Sequence, residues 1–152
     1  VSITDQKEVT SSHNVTITAD KTLSEVNFEE AEMLILPGGI PGTPNLRACT
    51  ALCEKLKEFA ANGKKVAAVC AAPTVLGELG ILEGKKATCY PSFADKLATG
   101  DYVKQPVVTD DNVITSRGMG TCIEFAGAII AALKDKATAD AVKEAIIYND
   151  VY

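Results

Sequence analysis

Cys70 stands where four small apolar residues, Val66-Ala67-Ala68-Val69, give way to Ala71-Ala72-Pro73-Thr74. The apolar run reads as a fully buried strand, and Pro73 suits the first turn of a helix. A strand, then a tight turn bearing a reactive atom, then a helix is the layout of a nucleophile elbow. A helix start leaves unpaired N–H groups and partial positive charge at that point, which favours the thiolate, the nucleophilic form of cysteine. The small side chains of Ala71 and Ala72 let backbone amides come close to a reacting oxygen. A thiolate so placed attacks a carbonyl carbon, or is itself oxidised as far as a sulfinic acid. The alternative is a packing thiol, because free cysteine is among the most buried residue types.

Other residues are read against this one. Gly38 and Gly39, after Pro37, offer backbone amides that with the amide of Ala71 make an oxyanion hole, or they form a turn that simply needs glycine. Arg117, ahead of a helix, is placed to bind a substrate carboxylate or phosphate, to brace a dimer, or to stand as a solvated or structural residue. Gly118-Met119-Gly120 looks like half a phosphate cradle but fits no dinucleotide or P-loop pattern, so nucleotide binding is not expected. His13, the only histidine, sits in a polar connection whose spacing gives no reason for a dyad with Cys70. Cys49 and Cys53 share a helical face without further ligands nearby, which argues for core residues and against a metal. Cys89 follows a strand and Cys122 opens a helix; both read as packing residues.

The elements that must hold these groups alternate. Val1–Thr4 and Val15–Thr18 read as half-buried strands and Met33–Leu36 as a buried one. Asn45 is placed to cap a helix running to Asn62, closed by Gly63. After Val66–Val69 come a short helix over Pro73–Leu79, a strand over Ala87–Tyr90 and a helical turn over Ser92–Leu97. Val107–Thr109 and Val113–Thr115 flank a turn. The loop Ser116–Thr121 leads into a helix over Ile123–Leu133, and Thr138 is placed to cap a last helix ending at Ile147. This order implies one α/β domain over residues 1–152 with a mainly parallel sheet. Ligands of such sheets bind beyond the carboxyl ends of the strands, where the loops 37–42, 70–73 and 116–121 meet.

With 152 residues, a net charge of −5 and 47% hydrophobic residues, the chain is an ordinary globular one. A nucleic-acid partner is not expected from an acidic chain whose basic residues come in pairs at most. No apolar run reaches the roughly 20 residues of a membrane span. Five cysteines, an odd number, argue for reduced thiols and a cytoplasmic location.

At Leu34-Ile35-Leu36-Pro37-Gly38-Gly39, Ala67-Ala68-Val69-Cys70-Ala71-Ala72-Pro73 and Thr115-Ser116-Arg117-Gly118-Met119-Gly120-Thr121-Cys122-Ile123-Glu124-Phe125 the chain closely resembles the ThiJ/PfpI superfamily, the DJ-one-like proteins. Thr88-Cys89-Tyr90-Pro91-Ser92 and Ile146-Ile147-Tyr148-Asn149 look like its bacterial ThiJ-type branch. The resemblance implies a flavodoxin-like three-layer sandwich, usually a homodimer. It places Cys70 on the elbow cysteine, Gly39 on an oxyanion-type glycine and Arg117 on a pocket arginine. It implies cofactor-free chemistry on reactive carbonyls, of glyoxalase or deglycase type, with redox sensing or chaperone-like holding as alternatives. A thiamine-biosynthesis or protease label is the third, by name only, since Ala71 stands where the peptidase-like branch has histidine. The resemblance also implies a first strand and helix bearing a glutamate partner for the cysteine; this sequence begins after that point.

Overall fold

The fold is taken from a computed structural model of the chain, which describes residues 1–148. Asn149, the last residue of the carboxyl-terminal motif, lies outside the described residues. In chain order the strands are β1 (Glu8–Thr10), β2 (Thr16–Thr18), β3 (Met33–Leu36), β4 (Lys65–Val69), β5 (Lys86–Ala87), β6 (Asp101–Tyr102), β7 (Val107–Asp110) and β8 (Val113–Ser116). The helices are α1 (Gly42–Ala48) and α2 (Thr50–Ala61) between β3 and β4, then α3 (Pro73–Glu78), α4 (Cys122–Leu133) and α5 (Lys136–Ala145).

The central sheet has the order β3-β4-β8-β7, with β3, β4 and β8 parallel and β7 antiparallel at one edge. Alternation along β4 explains its two covered faces. Val66 and Ala68 point into one core with Leu36, Leu56, Phe59 and Val75. Ala67 points the other way, with Ile114 and Phe125 of α4. Helices α1, α2 and α3 cover the first face, and α4 with α5 behind it covers the second, giving three layers. Helix α2 is held by Leu52, Leu56 and Phe59, which recur at helical spacing on its buried side. Along β3 runs an apolar groove of about 370 Å³, lined by Val1, Ile3, Leu23 and Phe28 among others.

The register matters most for function. Leu36 lies opposite Ala68, and Val69 opposite Ser116. Two residues beyond the first pair and one beyond the second, Gly38, Cys70 and Arg117 therefore fall in one row across the carboxyl ends of three neighbouring strands.

Several expectations from the sequence are corrected. Val1–Thr4 forms no strand; it makes one parallel bridge, Ser2 to Thr22. Its backbone is diverted instead to local side chains, the Thr4 amide donating to Ser2 Oγ at 3.1 Å and the Gln6 amide to Thr4 Oγ1 at 3.2 Å. The partner of β2 is β1, and every residue of this hairpin is exposed. The helix expected over Asn45–Asn62 is two helices, beginning at Gly42 and broken at Cys49, whose ψ of 93° is extended. No breaker residue marks the interruption. Helix α1 is tied to α3 by Arg47, whose Nε lies 2.8 Å from Glu78 Oε2 and whose Nη2 donates to Thr74 Oγ1 at 3.1 Å. The strand expected over Ala87–Tyr90 is reduced to Lys86–Ala87, and the helical turn covers Pro91–Lys96 as 3-10 helix. The cap of α5 is Asp135, which accepts from the Thr138 amide at 2.7 Å, so the helix starts two residues before the expected cap and ends at Ala145.

Candidate functional site

Cys70 has φ of +64°. A residue with a Cβ is strained there by about 1–2 kcal/mol, and such strain persists only where the surroundings over-determine it. The fixing contacts come from both sides. The Cys70 amide donates to the Ser116 carbonyl at 3.0 Å, and its own carbonyl accepts from the Tyr90 amide at 2.8 Å. On the other flank is Gly38: a Cβ there would lie 2.5 Å from the Cys70 Cβ and 2.6 Å from the Val69 carbonyl oxygen. Only glycine lets the first loop reach the elbow. The turn is closed by the Ala72 amide on the Val69 carbonyl, and Thr74 Oγ1 donates to the Ala71 carbonyl at 2.7 Å.

The sulfur is half-buried, not sunk in the core, and makes no hydrogen bond within the described residues. The backbone amides of Gly38, Gly39 and Ala71 also lack acceptors there. Ala71 is buried and Gly38 half-buried, and since such amides nearly always find partners, these two free donors beside the elbow mark a place for an external acceptor. Gly38 is the glycine that touches the elbow. Gly39, with φ of +92° and open space about it, turns the chain toward α1, where its carbonyl accepts from the Thr43 amide at 2.8 Å.

Arg117 lies beyond β8, its amide donating to the Pro106 carbonyl at 3.1 Å. Its Nε is buried without a partner, as is Glu124 Oε2 in the first turn of α4. Ser116, which sequence reading passed over, organises this side. Its Oγ donates to the Pro106 carbonyl at 3.0 Å and lies 2.7 Å from Thr121 Oγ1, while its carbonyl receives the Cys70 amide. A serine at a strand end carries no sequence signal for that role. Gly118 sits under the Tyr90 ring, where a Cβ would come to 3.4 Å from the ring edge. Beside the glycine loop, Met119, Cys122, Ile123, Glu124 and Tyr148 border a hollow of about 300 Å³.

The remaining cysteines and the histidine fall elsewhere. His13 is in the exposed turn of the β1–β2 hairpin, with Nδ1 3.1 Å from Ser12 Oγ, and is not brought to the elbow. Cys53 donates to the Arg47 carbonyl at 3.3 Å, capping the end of α1, and burial pushes its thiol up from the ordinary range. Among the described residues no group of three or more His, Cys, Asp or Glu is placed to hold a metal. No described helix is long and apolar enough to cross a membrane. Cys122 is exposed at the start of α4. Cys89 is wholly buried, and burial, reinforced by Cys70 and opposed by Arg117, pushes its thiol up to about 11.

A parallel α/β sandwich with a strained cysteine on the central strand end and glycine-rich loops on both neighbours defines a class of elbow-cysteine proteins. The chain belongs to the DJ-1/PfpI family, whose model matches residues 1–132. It is 39% identical over 149 residues to Protein DJ-1 homolog A of Arabidopsis thaliana, covering 96% of this chain and 38% of that protein. It spans less than half the length of that relative. It is 38% identical over 120 residues to the glutathione-independent glyoxalase DJR-1.2 of Caenorhabditis elegans, covering 78% of this chain and 63% of that one. The solved structure of oxidized Toxoplasma gondii DJ-1 superposes with a TM-score of 0.88 at 34% identity, over 99% of this chain and 81% of that one. The flavodoxin-like fold expected from the sequence is the fold of the chain.

Proposed function

We propose that the protein is a cysteine enzyme acting on small reactive carbonyls, converting a 2-oxoaldehyde such as methylglyoxal to the 2-hydroxy acid without a cofactor. The observation that carries this reading is the row Gly38–Cys70–Arg117, with the amides of Gly38 and Ala71 unpartnered beside Cys70 and that of Gly39 unpartnered in the same loop as Gly38. The Cys70 sulfur adds to the aldehyde carbon to give a hemithioacetal. Its oxyanion takes the free amides of Gly39 and Ala71, with that of Gly38 adjoining. A proton then passes from the former aldehyde carbon to the neighbouring one, leaving a thioester of the hydroxy acid, which water cleaves to release the acid and the thiol. Arg117, with its unpartnered Nε, is the group placed to hold an anionic substrate or product. The name of the nematode relative supports the reaction class. A dimer and a cytoplasmic location belong to the same proposal.

The test is lactate formed from methylglyoxal by the wild-type chain and by Cys70→Ala. Loss of production in the variant is expected; equal rates would exclude the role. The second reading is a redox-responsive protein whose signal is oxidation of Cys70. It is favoured by the half-open position of this sulfur, with no hydrogen bond to shield it among the described residues.

A further inference from the structure

We propose that Cys70 and Cys89 form a peroxide-driven disulfide switch, in which a sulfenic acid made on Cys70 is resolved by the buried thiol of Cys89. This deepens the reading of Cys70 as a reactive thiol and rests on it.

The two residues are 19 apart in sequence but adjoin in the fold. The Tyr90 amide donates to the Cys70 carbonyl at 2.8 Å, which docks the 89–90 segment directly on the elbow. The path from the Cys89 Cα through the Tyr90 amide to the Cys70 carbonyl and Cα holds the two Cα atoms within about 7–8 Å, near the upper end of what a disulfide spans. Cys89 packs in the core that holds Ala68, two residues before Cys70, and Ala72, two residues after it. Its sulfur donates one weak hydrogen bond, 3.4 Å, to the carbonyl of the next residue, Tyr90. The Cys70 sulfur has no hydrogen-bond partner among the described residues. Cys70 is also one of the groups that keep the Cys89 thiol protonated.

Exposure gives the pair an order. Cys70 is half-buried and reachable by a small peroxide, while Cys89 is 0% exposed and is not. Oxidant therefore arrives at Cys70 first. In the first step the Cys70 thiol takes one oxygen from hydrogen peroxide, giving the sulfenic acid and one water. In the second, the Cys89 sulfur attacks the Cys70 sulfur and the S–O bond breaks. The hydroxyl leaves with the Cys89 proton as a second water, and the disulfide remains. The peroxide is the only oxidant needed. Cys89 must give up its proton to attack, and burial, which holds it protonated, makes this resolving step the slower of the two. The disulfide removes the nucleophile from the carbonyl site and shields it from irreversible oxidation to the sulfinic acid, and a thiol reductant restores both.

The experiment treats the full chain with a slight excess of hydrogen peroxide and maps the cysteine peptides without reduction, in wild type, Cys89→Ser and Cys89→Ala. In wild type a Cys70–Cys89 linked peptide is expected, lighter by two hydrogens and released by dithiothreitol. In both variants Cys70 instead gains two oxygens, with about tenfold more sulfinic acid than in wild type. Two cavity-forming and near-isosteric replacements guard against a folding artefact in either. Equal sulfinic acid in all three proteins with no linked peptide overturns the switch while leaving Cys70 reactive. No oxidation at Cys70 in any of them overturns both the switch and the reading beneath it.

Discussion

The backbone at Cys70 makes a prediction that separates strain from chemistry. Both Cys70→Ala and Cys70→Gly remove the sulfur, yet they differ in whether a Cβ must be held at φ of +64°. At an ordinary position glycine costs roughly 0.5–1 kcal/mol relative to alanine, because it loses more freedom on folding. At a left-handed position the Cβ penalty of about 1–2 kcal/mol reverses that order, and alanine becomes the less stable residue by about 1 kcal/mol. Part of the gain is offset where the methyl is packed; here the site is half-open, so the offset is small. The expected result is Cys70→Gly above Cys70→Ala by roughly 0.5–1 kcal/mol in urea unfolding, or about 1–4 °C in Tm for a chain of this size. Ala72→Gly is the control. Ala72 is buried at φ of −65° and ψ of −25°, so its replacement lowers stability by roughly 1 kcal/mol or more. If Cys70→Gly falls below Cys70→Ala as Ala72→Gly falls below wild type, the elbow is not strained and the stored-strain argument fails.

Further expectations concern the surroundings of the elbow. Gly38→Ala sets a methyl 2.5 Å from the Cys70 Cβ and costs about 1–3 kcal/mol with slowed alkylation of Cys70, whereas Gly39→Ala enters open space and loses only the roughly 1 kcal/mol of its positive φ. Urea unfolding and iodoacetamide labelling separate the two, and equal effects would deny the close approach. The Cys89 thiol is raised from an ordinary 9.0 to about 11 in the folded chain, so the folded state holds a proton that the unfolded state has lost between those values. The stability tied to this proton is full below pH 9 and is lost as pH climbs toward 11, by about 2–3 kcal/mol. Cys89→Ala should flatten that part of the wild-type stability profile, and an unchanged profile would refute the burial argument. Lys64 Nζ donates to the carbonyls of Phe28, Glu29 and Ala31 at 3.4, 3.2 and 3.0 Å and lies 4.8 Å from the Phe59 ring centre. Lys64→Met should cost about 1–2 kcal/mol and loosen the approach to β3, read as faster amide exchange over residues 28–36.

What was legible in the sequence follows from how local each cause is. The elbow at Cys70 could be read because strand, small residues and Pro73 adjoin it, and the positive φ is the backbone form of that pattern. The order of buried strands and helices gave the layers for the same reason. Break points in helices were not legible. The apolar period of Leu46, Cys49, Leu52 and Leu56 runs unbroken through residue 49, while the interruption accompanies ties between α1 and α3 that lie far away in the chain. The strand expected at Val1–Thr4 is absent because alternation there says nothing of the side-chain bonds that divert its backbone.

The site itself divides along the same line. Gly38, Cys70 and Arg117 were each visible as loop residues after a strand, but only the register, Leu36 on Ala68 and Val69 on Ser116, puts them in a row. Ser116 and Cys89 were invisible as site residues, since the first acts through its carbonyl and the second reaches the elbow through a single amide of the next residue. Both are neighbours of Cys70 made by folding alone. A thiol's reactivity is set by such neighbours: donors decide where negative charge can rest, and a second sulfur decides what becomes of the first when it is oxidised. The proposed reaction of Cys70 with carbonyls and its proposed fate with peroxide are therefore two readings of one geometry. Whichever reagent arrives first, the same elbow strain and the same free amides present the sulfur to it.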